Sequence, residues 1–263
     1  MPKGRDIYLY IPIIFITVLL VLGFILLFAQ TLSSSNNLYL ELLQSTQFWS
    51  VYLYSLKIAS LTLVFSIAIF GAIFYLLFLL KYHFLDIKKW IFLLSLPILI
   101  PYALTAFLFF LIFFTFSDSS FFPFLLGTPT AMILAYIYKV VPFLLLVGTP
   151  SLFRLKKSEV FKHQIYSDDT FLFFKTIFLK RDLANFFVGF FIVFAYVINA
   201  YEIPAILGSS IEKMPASFTY DLFQEYELFS LQKAYASSIL FFILSLFFVP
   251  IFFMAYKILK RIL

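Results

Sequence analysis

The sequence predicts an all-α membrane protein with six transmembrane helices, both termini cytoplasmic, and a folded cytoplasmic loop of two short helices between the fourth and fifth. Three observations carry this. Hydrophobic residues make up 63% of the chain and charged residues 12%, against roughly 45–50% and about 25% in soluble proteins. Six long apolar stretches divide the chain, and 15 of the 19 Lys and Arg fall in alternate gaps between them. Lys and Arg accumulate on the cytoplasmic side of a membrane protein, so the alternation assigns the sides.

A spanning helix needs about 20 apolar residues. The stretches are about 7–29, 59–80, 90–116, 131–147, 183–201 and 234–256, within a single transmembrane domain over 1–263. Backbone groups in lipid must pair within their own segment, which favours helices. None of the six alternates apolar and polar residues as a barrel strand does. The first follows Lys3 and Arg5 and is 23 residues long. A secretory signal core is about 7–15 residues, so an uncleaved first helix is expected. The third carries Pro97 and Pro101 and the fourth Pro142, which are expected to kink or break their helices.

The inner gaps hold Lys81, Lys88 and Lys89, then seven basic residues from Arg154 to Arg181; Lys257, Lys260 and Arg261 follow the last stretch. Only Lys213 and Lys233 lie on the other side, while Lys57 and Lys139 sit at or within spans. The two outer gaps, 30–56 and 203–233, are long, and the second is expected to hold a short surface helix after Met214-Pro215. The net charge of +6 is thus explained by membrane orientation, and no nucleic-acid partner is implied. Forty Phe and 17 Tyr suit lipid as the surrounding partner, since apolar side chains lose nothing against acyl tails.

The gap at about 154–182 is too long for a turn. Its apolar residues are mixed with polar ones, Val160, Phe161 and Ile165 at helical spacing, and Ser167-Asp168-Asp169 offers a break and N-cap residues for a second helix. Such an amphipathic pair lies on a membrane surface or docks into a groove on a partner.

Several segments resemble the inner-membrane permease subunits of binding-protein-dependent ABC importers (type I, MetI-like). Tyr54 to Ser60 resembles the start of that family's second helix, and Leu96-Pro97-Ile98-Leu99-Ile100-Pro101 its Leu-Pro-x-x-x-Pro segment. Pro142-Phe143 matches a Pro-Phe pair in the fourth, and Tyr201 to Gly208 the acidic, Leu-Gly-ended stretch closing the fifth. The family's inner loop carries Glu-Ala-Ala, three residues, Gly, nine residues, Ile-x-Leu-Pro. Aligned on Ile177 and Leu179, Ser167 stands at the glycine, Phe161, Lys162 and His163 at Glu-Ala-Ala, and Lys180 at the proline. The spacing is kept while most identities differ, which fits a divergent subunit paired with a better-preserved one.

The resemblance implies a coupling loop that seats in a separate ABC ATPase subunit, with Phe161, Lys162, His163, Ser167, Asp168, Phe171, Phe174, Ile177 and Leu179 as its coupling residues. It implies a second permease subunit, in a heterodimer or a homodimer, and an extracytoplasmic solute-binding protein, in a bacterial inner membrane. The translocation path would be lined by the third, fourth and fifth helices, with Tyr102, Thr105, Tyr136, Lys139, Tyr196, Asn199 and Glu202 as candidates. Tyr201 to Gly208 looks most like branches that carry polyamines, iron or small oxyanions. None of the seven glycines opens a phosphate-cradling G-x-x-x-x-G-K-[ST] loop, so no ATP site is expected in this chain.

Lys139 is the costliest of these residues, because a charge deep in lipid costs roughly 2.5–3.5 kcal/mol on insertion scales. It faces a path, meets a carboxylate or snorkels. Interhelical hydrogen bonding is the simpler role for Tyr102, Thr105, Tyr136, Tyr196 and Asn199. A membrane-embedded enzyme would need a nucleophile and base, or clustered carboxylates, inside the spans. The two His lie outside them and there is no Cys, so neither catalytic, metal nor cofactor residues are assigned. An ATP-independent carrier or assembly protein explains the spans equally well but gives no reason for the long inner loop.

Overall fold

The computed structural model describes residues 7–32, 38–83, 86–116, 125–156, 158, 160, 169–209, 211–225 and 228–262. The described residues form helices and turns, without strands. The helices are α1 (Ile7–Leu32), α2 (Leu38–Gln44), α3 (Thr46–Tyr82), α4 (Lys88–Ser95), α5 (Tyr102–Thr115), α6 (Pro129–Arg154), α7 (Thr170–Phe173), α8 (Lys180–Asn199), α9 (Glu202–Leu207), α10 (Pro215–Gln224), α11 (Leu228–Leu246) and α12 (Phe248–Ile262). A 3₁₀ turn, Leu96–Leu99, follows α4, and a π-helical segment, Phe174–Leu179, joins α7 to α8. Five helical stretches are long and apolar enough to cross a membrane, or six if the bent α4–α5 pair is one span. The chain is therefore a multi-pass membrane protein of all-helical build.

The second stretch is longer than its apolar run. α3 begins at Thr46, where Ser45 Oγ accepts from Phe48 N at 3.4 Å, and runs for 37 residues. At 1.5 Å per residue that is about 55 Å, well beyond the roughly 30 Å of a hydrocarbon core. Most of the gap at 30–56 is thus helical, in α2 and the first turns of α3. No proline interrupts this run, so Tyr52, Tyr54, Ser55 and Lys57 extend the helix beyond its purely apolar part.

The third stretch is broken, with its two halves bent by 89°. Ile100 takes an extended conformation (φ −75°, ψ 128°), the one favoured before proline. Pro101 has no N–H to donate to the carbonyl of Pro97 in the preceding turn. The fourth stretch behaves differently. Thr128 caps α6, Pro129 takes its first position, and the helix runs past both Pro142 and Pro150 to Arg154. Pro142 does not break it. Membrane helices tolerate internal proline where neighbouring helices support the freed groups, and α6 is packed against α3, α5, α8 and the α4 end.

The fifth stretch starts earlier than its apolar run. Asp169 caps α7 by accepting from Leu172 N at 2.9 Å. α7, the π segment and α8 then follow one another without a break from Thr170 to Asn199. The second of the two short loop helices is therefore the first part of one long rod. No Gly or Pro lies between Thr170 and Gly189 to stop it, and the register slip is absorbed in the π segment. Of the first short helix only Ser158 and Val160 are described as helical. The last stretch divides at Phe247 into α11 and α12, because Pro250 cannot donate to the Leu246 carbonyl. The short helix expected after Met214-Pro215 is α10.

The core lies where α3, α6 and α8 meet. A Cβ on Gly148 of α6 would lie 2.6 Å from the Phe74 ring of α3, and one on Gly189 of α8 would lie 3.1 Å from Val147. These two glycines set how closely the three helices approach. α9 packs on α5 and α6, while α1 packs chiefly on α11, with Phe24 and Phe242 rings 4.9 Å apart.

Candidate functional site

Two places gather the residues singled out by the sequence. The first is the end of the bundle that carries the basic loop. Arg154 closes α6 and Asp182 opens α8; Nη1 of Arg154 donates to Asp182 Oδ1 at 3.2 Å. Arg181 Nε donates to the other oxygen, also at 3.2 Å. The Asp182 side chain is only 2% exposed, whereas that of Arg154 is 61% exposed. The pair ties the two ends of the loop together and leaves one guanidinium largely in solvent. Arg154 and Arg181 thus share one structural partner, and Asp182 was not distinguished in the sequence because one carboxylate carries no motif.

The rod from Thr170 is pinned to α3 by tilted and edge-on aromatic contacts. Phe174 sits 5.0 Å, ring to ring, from both Tyr75 and Phe78. Phe173 lies 5.9 Å from Phe78 and is buried. Phe171 and Leu172, one turn earlier, remain 59% and 49% exposed. Of the coupling candidates, Phe174 therefore faces the bundle, Phe171 is largely exposed but sets its ring edge-on to Tyr75 at 5.9 Å, and Leu179 is half-buried. Ile177 lies in the π segment. Phe161, Lys162, His163, Ser167 and Asp168 lie outside the described residues.

The second place is the broken span. Lys139, on α6, is 2% exposed. Its Nζ donates to the carbonyls of Pro97 at 2.7 Å and Ile98 at 3.1 Å, and to that of Ile100. It also stands over the Tyr102 ring, 4.6 Å from the centroid. The helix break creates these acceptors. The Pro97 carbonyl would pair with residue 101 in a continuous helix, and residue 101 is proline. Among the described residues, Lys139 pairs with no carboxylate, and its buried ammonium does not snorkel. It donates to carbonyls exposed at the break, of which that of Pro97 also accepts from Ile100 N at 3.4 Å, and sequence reasoning missed this because carbonyls have no sequence signature.

Tyr102, Tyr136, Tyr196 and Glu202 surround this knot. The Tyr102 and Tyr196 rings are 4.8 Å apart. Tyr136 is fully buried and its hydroxyl has no hydrogen-bond partner among the described residues. Glu202, in the first turn of α9, is exposed and close enough to act electrostatically on all three tyrosines. A cavity of about 130 Å³, lined by Tyr102, Val140, Phe143, Ile192, Val193 and Tyr196, adjoins them. Thr105 is buried beside the break and donates to the Pro101 carbonyl at 3.2 Å. Asn199 belongs elsewhere. Its Nδ2 donates to Ala195 O and to Ser245 Oγ at 3.2 Å, in the wall of an open cleft of about 360 Å³ shared with Tyr201, Thr219, Tyr220 and Ser238. Five of the seven path candidates are thus brought together, Thr105 stands beside them, and Asn199 is apart.

The chain matches no protein-family model and no curated protein.

Proposed function

We propose that this chain is a transmembrane permease subunit of an ATP-driven ABC importer in a bacterial inner membrane. In this reading the six stretches all span, both termini are cytoplasmic, and the loop at about 154–182 couples to a separate ATPase. The observation that carries the reading is the rod from Thr170 to Asn199: one helical body, pinned to α3 by Phe173 and Phe174 and to α6 by Asp182, presents Phe171 and Leu172 at its exposed tip. The alternation of Lys and Arg puts that tip on the cytoplasmic side. A partner that moves the tip moves α8, and α8 carries Tyr196 of the tyrosine cluster. The cluster of Tyr102, Tyr136, Lys139, Tyr196 and Glu202, with Thr105 beside it, then lies along the path between this chain and a second permease subunit. An extracytoplasmic binding protein would deliver the substrate, and the likeness of Tyr201 to Gly208 favours a polyamine, iron or a small oxyanion.

The test is copurification from membranes of the native host. The tagged chain is expected to bring down a soluble ATPase, and Phe171→Ser with Leu172→Ser is expected to lose it while Phe174→Ser lowers the yield of folded protein. An intact chain that retains no ATPase would leave the ATP-independent carrier as the reading. Glu202→Gln is expected to reduce uptake several-fold at unchanged membrane abundance; unchanged uptake would return Glu202 to a solvated role.

A further inference from the structure

The Lys139 knot has the composition of a cation site. An ammonium offers three N–H donors, and three carbonyls from one short stretch, Pro97, Ile98 and Ile100, accept them. The Tyr102 ring covers a further side of the charge, an arrangement favourable to cations over aromatic faces. None of the ion pairs among the described residues involves Lys139, so carbonyl dipoles and the ring hold its charge. Unwound backbone in membrane helices holds free cations in the same manner, with carbonyl oxygens replacing a hydration shell.

We propose that the carbonyls of Pro97, Ile98 and Ile100 form a binding site for a primary ammonium, filled in the intact protein by Lys139 as a tethered cation that locks the bent α4–α5 pair onto α6. This does not rest on the importer reading, since it concerns only this chain. The tether fixes selectivity. A guanidinium is planar and carries its donors in a rigid fork, so arginine does not reproduce three donors converging from one nitrogen. Removing the side chain beyond Cβ leaves a vacancy with the shape of propylammonium, the fragment deleted.

The experiment uses the full chain in nanodiscs and thermal unfolding as the readout. Lys139→Ala is expected to lower Tm by about 5–10 °C. Propylammonium at millimolar concentration is expected to restore at least half of that loss, while propanol and tetramethylammonium, which lack either the charge or the N–H donors, restore none. Equal recovery with propanol would show that filled volume matters rather than the cation, and would overturn the proposal, as would no recovery with propylammonium. Should the alanine variant yield no folded protein, Lys139→Met, which keeps most of the side chain's bulk and lacks its charge, decides: a similar loss of Tm supports the site, and a wild-type Tm overturns it. In the wild-type protein, amine acylation is expected to reach Lys257 readily and Lys139 only on unfolding; equal rates would also overturn it.

Discussion

α1 and α6 are both 26 residues long and both apolar, yet they live in opposite surroundings. In α6, 67% of the apolar stretch is buried inside the molecule; in α1 the share is 6%. The buried helix is the less apolar of the two. Its buried positions include Gly148, Ser151, Ala131, Ala135, Tyr136 and Lys139, whereas α1 exposes Ile14, Phe15, Val18, Leu22 and Ile25. In water the order would be reversed. In lipid, apolar surface gains nothing by turning inward, so helices meet through small residues that permit close approach and polar groups that find partners. α6 has both, whereas α1 presents mainly lipid-compatible bulk, with a ring contact from Phe24 to α11 and a hydroxyl contact between Thr31 and Tyr39 at its end.

Substitutions at matched glycines are the sharpest way to break this comparison. Gly148→Leu drives a side chain into Phe74 and Phe186, which lie 2.6 Å and 3.2 Å from its first atom. Overpacking of that kind costs about 3 kcal/mol, and a marked fall in Tm and in membrane yield is expected. A wild-type Tm would mean that α3, α6 and α8 do not pack as described. Asp182→Ala comes next. It removes both arginine contacts and lets the guanidiniums return to solvent, so a loss of about 1 kcal/mol is expected, smaller at high salt. Faster proteolysis within the loop at about 154–182 would accompany it; an unchanged cleavage rate would mean that the clamp does not restrain the loop. The smallest effect belongs to Gly23→Leu in α1, where an added Cβ meets nothing within 4 Å. A change below about 0.5 kcal/mol is expected, and a large fall there would mean that α1 is covered by another helix.

The same contrast explains what could be read from the sequence. The existence of the stretches was legible because hydropathy is a local sum, and lipid demands it residue by residue. Their ends were not. Tyr52, Ser55 and Lys57 lower the apolarity of the segment before Ala59 without disturbing a helix, and α3 begins at Thr46 all the same. Prolines gave mixed information for a physical reason: Pro97 and Pro101 lie four apart, so the α-helical donor to the Pro97 carbonyl is missing and a 3₁₀ bond from Ile100 N takes its place, while Pro142 stands in a helix supported on several sides. Lys139 was legible as a cost and illegible as a solution, because its three acceptors lie about 40 residues away on backbone atoms. Asp169 as a cap followed from local chemistry, whereas the joining of the second loop helix to α8 depended on the aromatic contacts with Tyr75 and Phe78.

Which side of the membrane holds the Phe171 tip decides the functional reading most directly. The chain has no cysteine of its own, so a single one at Lys175, an exposed position on the rod, reports cleanly. A membrane-impermeant thiol reagent is expected to label Lys175→Cys in inside-out vesicles and not in intact cells. Labelling in intact cells would place the basic loop outside and contradict the account.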